Sequence, residues 1–226
     1  MTLLKDALFT ENDVIDPNWI IRYLLNHIPR GKVSGEQVHT VVKKMCKHIK
    51  GVRVKFLPNN KIKKCFAVGG EFDTEKKNSI LLEISSSSYK KKFNLEEKYY
   101  DHLICDIADT LCHESIHRYQ HNIRDYDEFN GFCPSEEQMY YSDPDEMFAY
   151  SVNIAHNLYR QFGDDVESYL SNHNELVKND FYLADYYSLF YQQRTFNKLM
   201  KMIYLNIKAI QRGHICHRPV ILHDTI

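Results

Sequence analysis

The chain has 226 residues, of which 43% are hydrophobic and 26% charged, and its formal net charge is −1. This composition is that of an ordinary globular protein and excludes a disordered or collagen-like chain. No apolar run approaches the roughly 18 residues that a membrane span needs, and the N-terminus has no secretory pattern. We therefore expect a cytoplasmic protein with no membrane partner. Its six cysteines include no C-x-x-C pair, which favours reduced thiols.

The first predicted elements are two helices with recognisable starts. Asp16 followed by Pro17 is typical of an N-cap and first helical residue, and Ser34 can cap a second helix. Apolar residues recur at helical spacing along the second segment. This stripe consists of Val38, Val41, Val42, Met45 and Ile49.

Three extended segments follow. "VRVKFL" from Val52 alternates in character, "PNN" from Pro58 is a turn signal, and "KIKKCFAV" resumes an extended pattern. "SILLEIS", Ser79 to Ser85, is the third segment. Together they predict a small, mostly antiparallel sheet.

A long helix comes next. Asn94 and Glu97 are spaced as a capping box, and no Pro or Gly interrupts the chain from Asn94 to Asn130. Asp143-Pro144 opens a further helix, and "TFNKLMKMIYLNIKAIQR" predicts another near the C-terminus. The order predicts an α+β fold in one domain, residues 1–226, with its core at about 52–160.

The long helix carries "HESIH", the H-E-x-x-H pattern of His113, Glu114 and His117. A shuffled chain of this make-up would contain the pattern about 0.04 times, so accident is an unlikely source. His113 and His117 project from one helical face and can bind one Zn²⁺ through their ring nitrogens. Glu114 is placed to reach a metal-bound water, which is the position of a general base. The competing interpretation is a polar stripe of exposed histidines.

A third ligand must come from elsewhere, because His121 lies about 12 Å along the helix from His113. Glu146 is the preferred candidate, 29 residues after His117. Glu146 also stands three residues after Asp143, so a capping role competes with the role of ligand. The alternative ligands are Asp143, Asp145 and His156.

These motifs resemble the zincin metallopeptidases with a glutamate third ligand, and the "DPDEMFAY" spacing is most similar to their ImmA/IrrE-like branch. The resemblance covers roughly residues 52–160. It implies a zincin-like fold, a small sheet packed on a long active-site helix with further helices on both sides. It also implies one zinc ion per chain on His113, His117 and Glu146, Glu114 as base, and "SILLEI" as the edge strand that pairs with a peptide substrate.

The chain departs from related patterns at several positions. Gln120 and Ile123 stand where metzincins have glycine and a third histidine. Tyr150 stands where thermolysin-like enzymes have an aspartate, so Asn153 or a backbone carbonyl would orient a histidine ligand. The oxyanion donor stays open among three tyrosines, namely Tyr140, Tyr141 and Tyr150.

The positive charge is concentrated near the N-terminus, with eleven Lys/Arg and a single acid between Arg30 and Cys65. Solvated lysines are the simplest interpretation. The alternative function is a non-catalytic binding or assembly protein that uses this segment to hold nucleic acid or an acidic partner. A third possibility is a protease that acts on nucleic-acid-bound proteins.

Overall fold

The computed structural model describes residues 14–62, 65–73, 79–123, 136–191 and 193–213. It is α+β, as predicted, and its contacts form two compact units whose described parts are residues 14–119 and 120–213. None of the described helices is long and apolar enough to cross a bilayer.

The unit of residues 14–119 contains a helical pair, five strands and most of a long helix. Its elements are α1 (Pro17–His27), β1 (Gly31–Val33), α2 (Gly35–Cys46), β2 (Val52–Pro58), β3 (Ala67–Asp73), β4 (Ser79–Ser86), β5 (Phe93–Leu95) and α3 (Glu97–Ile123), whose last residues belong to the other unit.

Both predicted helix starts in this unit are confirmed. The Asp16 carboxylate accepts a hydrogen bond from the backbone N–H of Asn18 at 2.9 Å. Ser34 and Gln37 form a reciprocal capping box, in which each side chain accepts from the backbone N–H of the other. These caps satisfy donors that a helix start leaves without intrahelical partners.

The predicted start of α3 is wrong. Asn94 lies in β5, opposite Lys32 of β1 in an antiparallel pair, and α3 begins at Glu97. The carbonyl of Glu96 accepts from the backbone N–H groups of Tyr99 and Tyr100, both at 2.9 Å. Pairing with a strand more than 60 residues earlier thus takes Asn94 out of the capping position.

The main sheet has the order β2-β4-β3. β4 pairs in parallel with β2 and antiparallel with β3, so β2 and β3 do not form a hairpin with each other. Two of the three strand pairings described are antiparallel, because β1 and β5 also pair in that sense. The expectation that "SILLEI" is an edge strand is therefore wrong, since this segment is β4, the central strand, and β3 lies at the edge.

One face of β4 is fully buried. Ile80, Leu82 and Ile84 each have 0% exposure, while the residues between them are half-buried. The register places Gly70 of β3 opposite Leu82, so both project from the same face of the sheet. The apolar residues of α3 in this unit are buried as well. They include Leu103, Ile104, Ile107, Ala108 and Leu111, all at most 2% exposed.

The unit of residues 120–213 is helical in its described part. After the end of α3 it contains α4 (Glu136–Ser142), α5 (Pro144–Phe162), a 3₁₀ turn (Gly163–Asp165), α6 (Val166–Tyr169), α7 (His173–Asn179), α8 (Phe181–Phe190) and α9 (Arg194–Gln211). The predicted C-terminal helix is confirmed as α9. It contributes Phe196, Leu199, Ile203 and Ile207 to a core with Ile154 and Leu158 of α5.

Candidate metal centre

The H-E-x-x-H motif lies on α3, as predicted, and its two histidines face the same way. The Nε2 atoms of His113 and His117 are 2.9 Å apart, and their rings meet edge to face with centroids 4.6 Å apart. His113 is 7% exposed and His117 is partly exposed. Two donors that converge from one helical face offer the arrangement that a single bound cation requires.

Two residues between the histidines are fully buried, and Ser115 lies on the opposite side of the helix. Ser115 and Ile116 have 0% exposure. The Ser115 hydroxyl donates to the Cys112 carbonyl at 2.7 Å and accepts from the backbone N–H of Ile15 at 2.9 Å. These contacts restrict rotation of the helix, so the histidines are held on the opposite face.

Glu114 lies beneath the edge strand. It is buried, at 9% exposure, and its side chain packs on Gly70 of β3. A Cβ placed on Gly70 would stand 2.5 Å from Thr110 Cγ2 and 2.9 Å from Glu114 Cγ. Only glycine fits this contact, and the sequence analysis did not identify it. The Gly69-Gly70 pair in a strand was the available signal, since glycine inside a strand often marks close approach.

Glu146 lies at N3 of α5, directly after a capped start. The Asp143 carboxylate accepts from the backbone N–H groups of Asp145 at 2.8 Å and Glu146 at 3.3 Å. The N–H of Asp143, which a capping box would use, instead donates to the carbonyls of Met139 and Tyr140 at 3.2 Å. Asp143 therefore performs the capping, and the Glu146 carboxylate does not complete a box.

A contact at the end of α3 places the first turn of α5. Gln120, one turn after His117 on the same continuous helix, is 4% exposed. Its side-chain amide donates to the carbonyl and to the carboxylate of Asp145, both at 3.2 Å. Within the unit of residues 120–213, the residue before Glu146 is thus bonded to the end of α3.

The ligand atoms of His113, His117 and Glu146 all lie within 4.8 Å of one another, so this group could hold a metal ion. Two donors on one tetrahedral zinc ion are about 3.3–3.6 Å apart, given bonds of roughly 2.0–2.2 Å. The difference between these values is at most about 1.5 Å, and a change of rotamer moves a glutamate carboxylate by at least that much. The set of two imidazoles and one carboxylate suits Zn²⁺ chemically.

The alternative third ligands are not in this group. Asp143 caps α5 and Asp145 accepts from Gln120. His156 lies farther along α5 at 1% exposure. Glu146 is the residue that the structure brings to the two histidines.

Tyr140 is a further residue beside Glu146, and the sequence analysis named it only as one of three tyrosines. Its hydroxyl donates to the Glu146 carboxylate and lies 3.3 Å from the Tyr150 hydroxyl. Partial desolvation of the phenol group, whose residue is 45% exposed, the hydrogen bond to Tyr150 and the charge of Glu146 raise the pKa of Tyr140 above its ordinary value. The hydroxyl therefore stays protonated and able to donate. By contrast, the Tyr141 hydroxyl donates to Asp185 at 3.3 Å.

A comparison of the chain with protein-family models, curated proteins and solved structures finds no match.

Proposed function

We propose that the protein is a zinc-dependent metallopeptidase of the zincin type. The convergence of His113, His117 and Glu146, with Glu114 on the same helix and under an edge strand, is the observation that supports this function. Zn²⁺ held by three protein donors supplies a water of lowered pKa and polarises the carbonyl of a bound peptide.

Glu114 is the general base in this proposal. Its side chain is buried and packs against Gly70, which limits the access of water to the carboxylate. The carboxylate accepts the proton of the attacking water and returns it to the leaving nitrogen when the peptide bond breaks. The three ligand side chains position the reacting groups and do not themselves transfer the proton.

β3 is the strand that would align the substrate. Among the described residues it pairs with β4 alone, and its Gly70 touches Glu114. An extended peptide can add to such an edge through main-chain hydrogen bonds, which holds its backbone in register with the base. The peptide-binding role that the sequence analysis gave to "SILLEI" is thus assigned to Ala67–Asp73.

Metal content and turnover test the proposal together. Wild-type protein purified without chelators should contain one zinc per chain, and His113→Ala should lose it. His121→Ala is the matched control on the same helix and should keep zinc. Glu114→Gln should keep zinc but lose at least about 100-fold in cleavage rate, measured on fluorescent casein and a mixed peptide library.

Several results would contradict this function. They are wild-type protein without zinc, wild-type protein that cleaves neither probe, and a Glu114→Gln variant that cleaves at the wild-type rate. A zinc-loaded protein that cleaves nothing would instead fit the non-catalytic binding protein.

A further inference from the structure

The end of α2 and the turn after it carry a concentration of positive charge. Four lysines here are exposed, namely Lys43, Lys44, Lys47 and Lys50. None of the four forms an ion pair with any described residue. In the following strand, by contrast, Arg53 pairs with Asp73 and Lys55 pairs with Glu83.

Aromatic side chains from α1 lie beside these lysines. Trp19, Tyr23 and His27 are four residues apart and form a row. The centroids of Trp19 and Tyr23 are 5.8 Å apart, and those of Tyr23 and His27 are 4.2 Å apart in a stacked pair. His48 lies in the turn after α2 that carries Lys47 and Lys50, here called the lysine turn. Its ring centroid is 6.5 Å from that of Tyr23. The row is partly exposed, and His27 and His48 are exposed.

The lysine turn is held in place by hydrogen bonds. The backbone N–H of His48 donates to Met45 at 3.0 Å and that of Ile49 to Cys46 at 3.1 Å. The guanidinium of Arg118, the residue after His117, donates to the Lys50 carbonyl at 2.8 Å. The charged side chains therefore extend from a backbone whose conformation is already set.

We propose that this α1–α2 surface, formed by the three ring residues of α1, His48 and the four lysines, binds a single-stranded nucleic acid. Lysines can follow the phosphates while exposed rings accept unpaired bases. A duplex keeps its bases stacked, and an acidic peptide would leave the rings unused. Phosphates and base faces are common to DNA and RNA, so both kinds of strand should bind. The inference does not depend on the proposed peptidase activity.

Fluorescence anisotropy with labelled oligothymidylate and oligouridylate of about 15 nucleotides tests the binding. If all four lysines contact phosphates, the logarithm of the association constant should fall with a slope of about −2.8 against the logarithm of salt. That slope corresponds to a loss of about 50-fold between roughly 50 and 200 mM salt.

A matched pair of double variants locates the site. Lys44→Ala/Lys47→Ala should weaken binding at least about tenfold and reduce the slope to about −1.4. Lys198→Ala/Lys201→Ala is the control, because these α9 lysines are also exposed and three residues apart. The control should bind as the wild type does. Equal losses in the two variants would overturn the assignment.

Trp19 provides a second readout because it is the only tryptophan in the chain. Oligothymidylate should quench its fluorescence, whereas polyphosphate and polyglutamate should not, since they have no bases to stack. Three outcomes would overturn the proposal: no quenching at saturating oligothymidylate, tighter binding of a duplex of equal length, or tighter binding of polyglutamate or anionic phospholipid vesicles.

Discussion

Gly70 lies directly against Glu114, and a Cβ at residue 70 would be 3.2 Å from the Oε1 atom of that carboxylate. This contact joins the edge strand β3 to the residue assigned as the general base. A Cβ at residue 70 would also stand 2.5 Å from Thr110 Cγ2. Either α3 or β3 would therefore have to move to accommodate a side chain at this position. The close packing of β3 on Glu114 thus depends on the absence of a side chain at residue 70.

Gly70→Ala should therefore impair the site. We expect it to reduce the free energy of unfolding by about 1–3 kcal/mol through overpacking and to lower the cleavage rate. Gly69→Ala is the control in the same strand, since a Cβ at Gly69 meets nothing within 4 Å. Urea unfolding and casein cleavage measure the two effects. Equal behaviour of the two variants would show that the contact is unimportant.

Substitutions at Asp143 and Glu146 should distinguish the capping of α5 from the binding of metal. Asp143→Ala removes the cap of α5 and should cost about 1 kcal/mol of unfolding free energy while zinc is retained. Glu146→Gln should change the stability of the metal-free protein by at most about 0.5 kcal/mol but weaken zinc binding strongly. Urea unfolding and competition with a chromophoric chelator measure these quantities. The reverse pattern would assign the ligand to Asp143.

Tyr140→Phe should weaken zinc binding by roughly tenfold, because it removes the hydroxyl that donates to the Glu146 carboxylate. Tyr141→Phe is the control, since the Tyr141 hydroxyl donates to Asp185 instead. The chelator competition assay compares the two variants at one pH. If both have the wild-type affinity, the Tyr140 hydroxyl does not orient the ligand.

Cys46 should be unreactive in the folded protein. It is 4% exposed, and burial raises the pKa of its thiol to about 12. At about pH 8 only about one part in ten thousand is the reactive thiolate. Cys65 is a partly exposed free thiol and should be alkylated by iodoacetamide first. Peptide mass spectrometry follows both sites, and both should react in urea. Alkylation of Cys46 as fast as Cys65 in native protein would contradict its burial.

The features predicted correctly from the sequence depend on residues close together in the chain. The caps at Asp16, Ser34 and Asp143 each involve a partner two or three residues away. The facing of His113 and His117 follows from helical periodicity alone. The proximity of Glu146 to the histidines is the exception, because it brings together residues at least 29 positions apart in the sequence.

The errors and omissions all involve residues distant in sequence. Asn94 fits a capping box locally, but its pairing with Lys32 of β1 places it in a strand. The central position of β4 depends on its parallel pairing with β2, which no local pattern indicates. The contact of Gly70 with Glu114 joins segments 44 residues apart. The aromatic row of α1 likewise meets the lysines only through folding.

The order β2-β4-β3 also determines which backbone groups can open to solvent most easily. β4 is paired along both sides, so its amide hydrogens should exchange with deuterium only after a neighbouring strand has separated. β3 is attached to the sheet along one side, and its separation leaves the β2–β4 pairing intact. Either edge strand, β2 or β3, can separate while the other pairing stays intact, so the strand that would hold a peptide against Glu114 can move with the loss of one strand pairing.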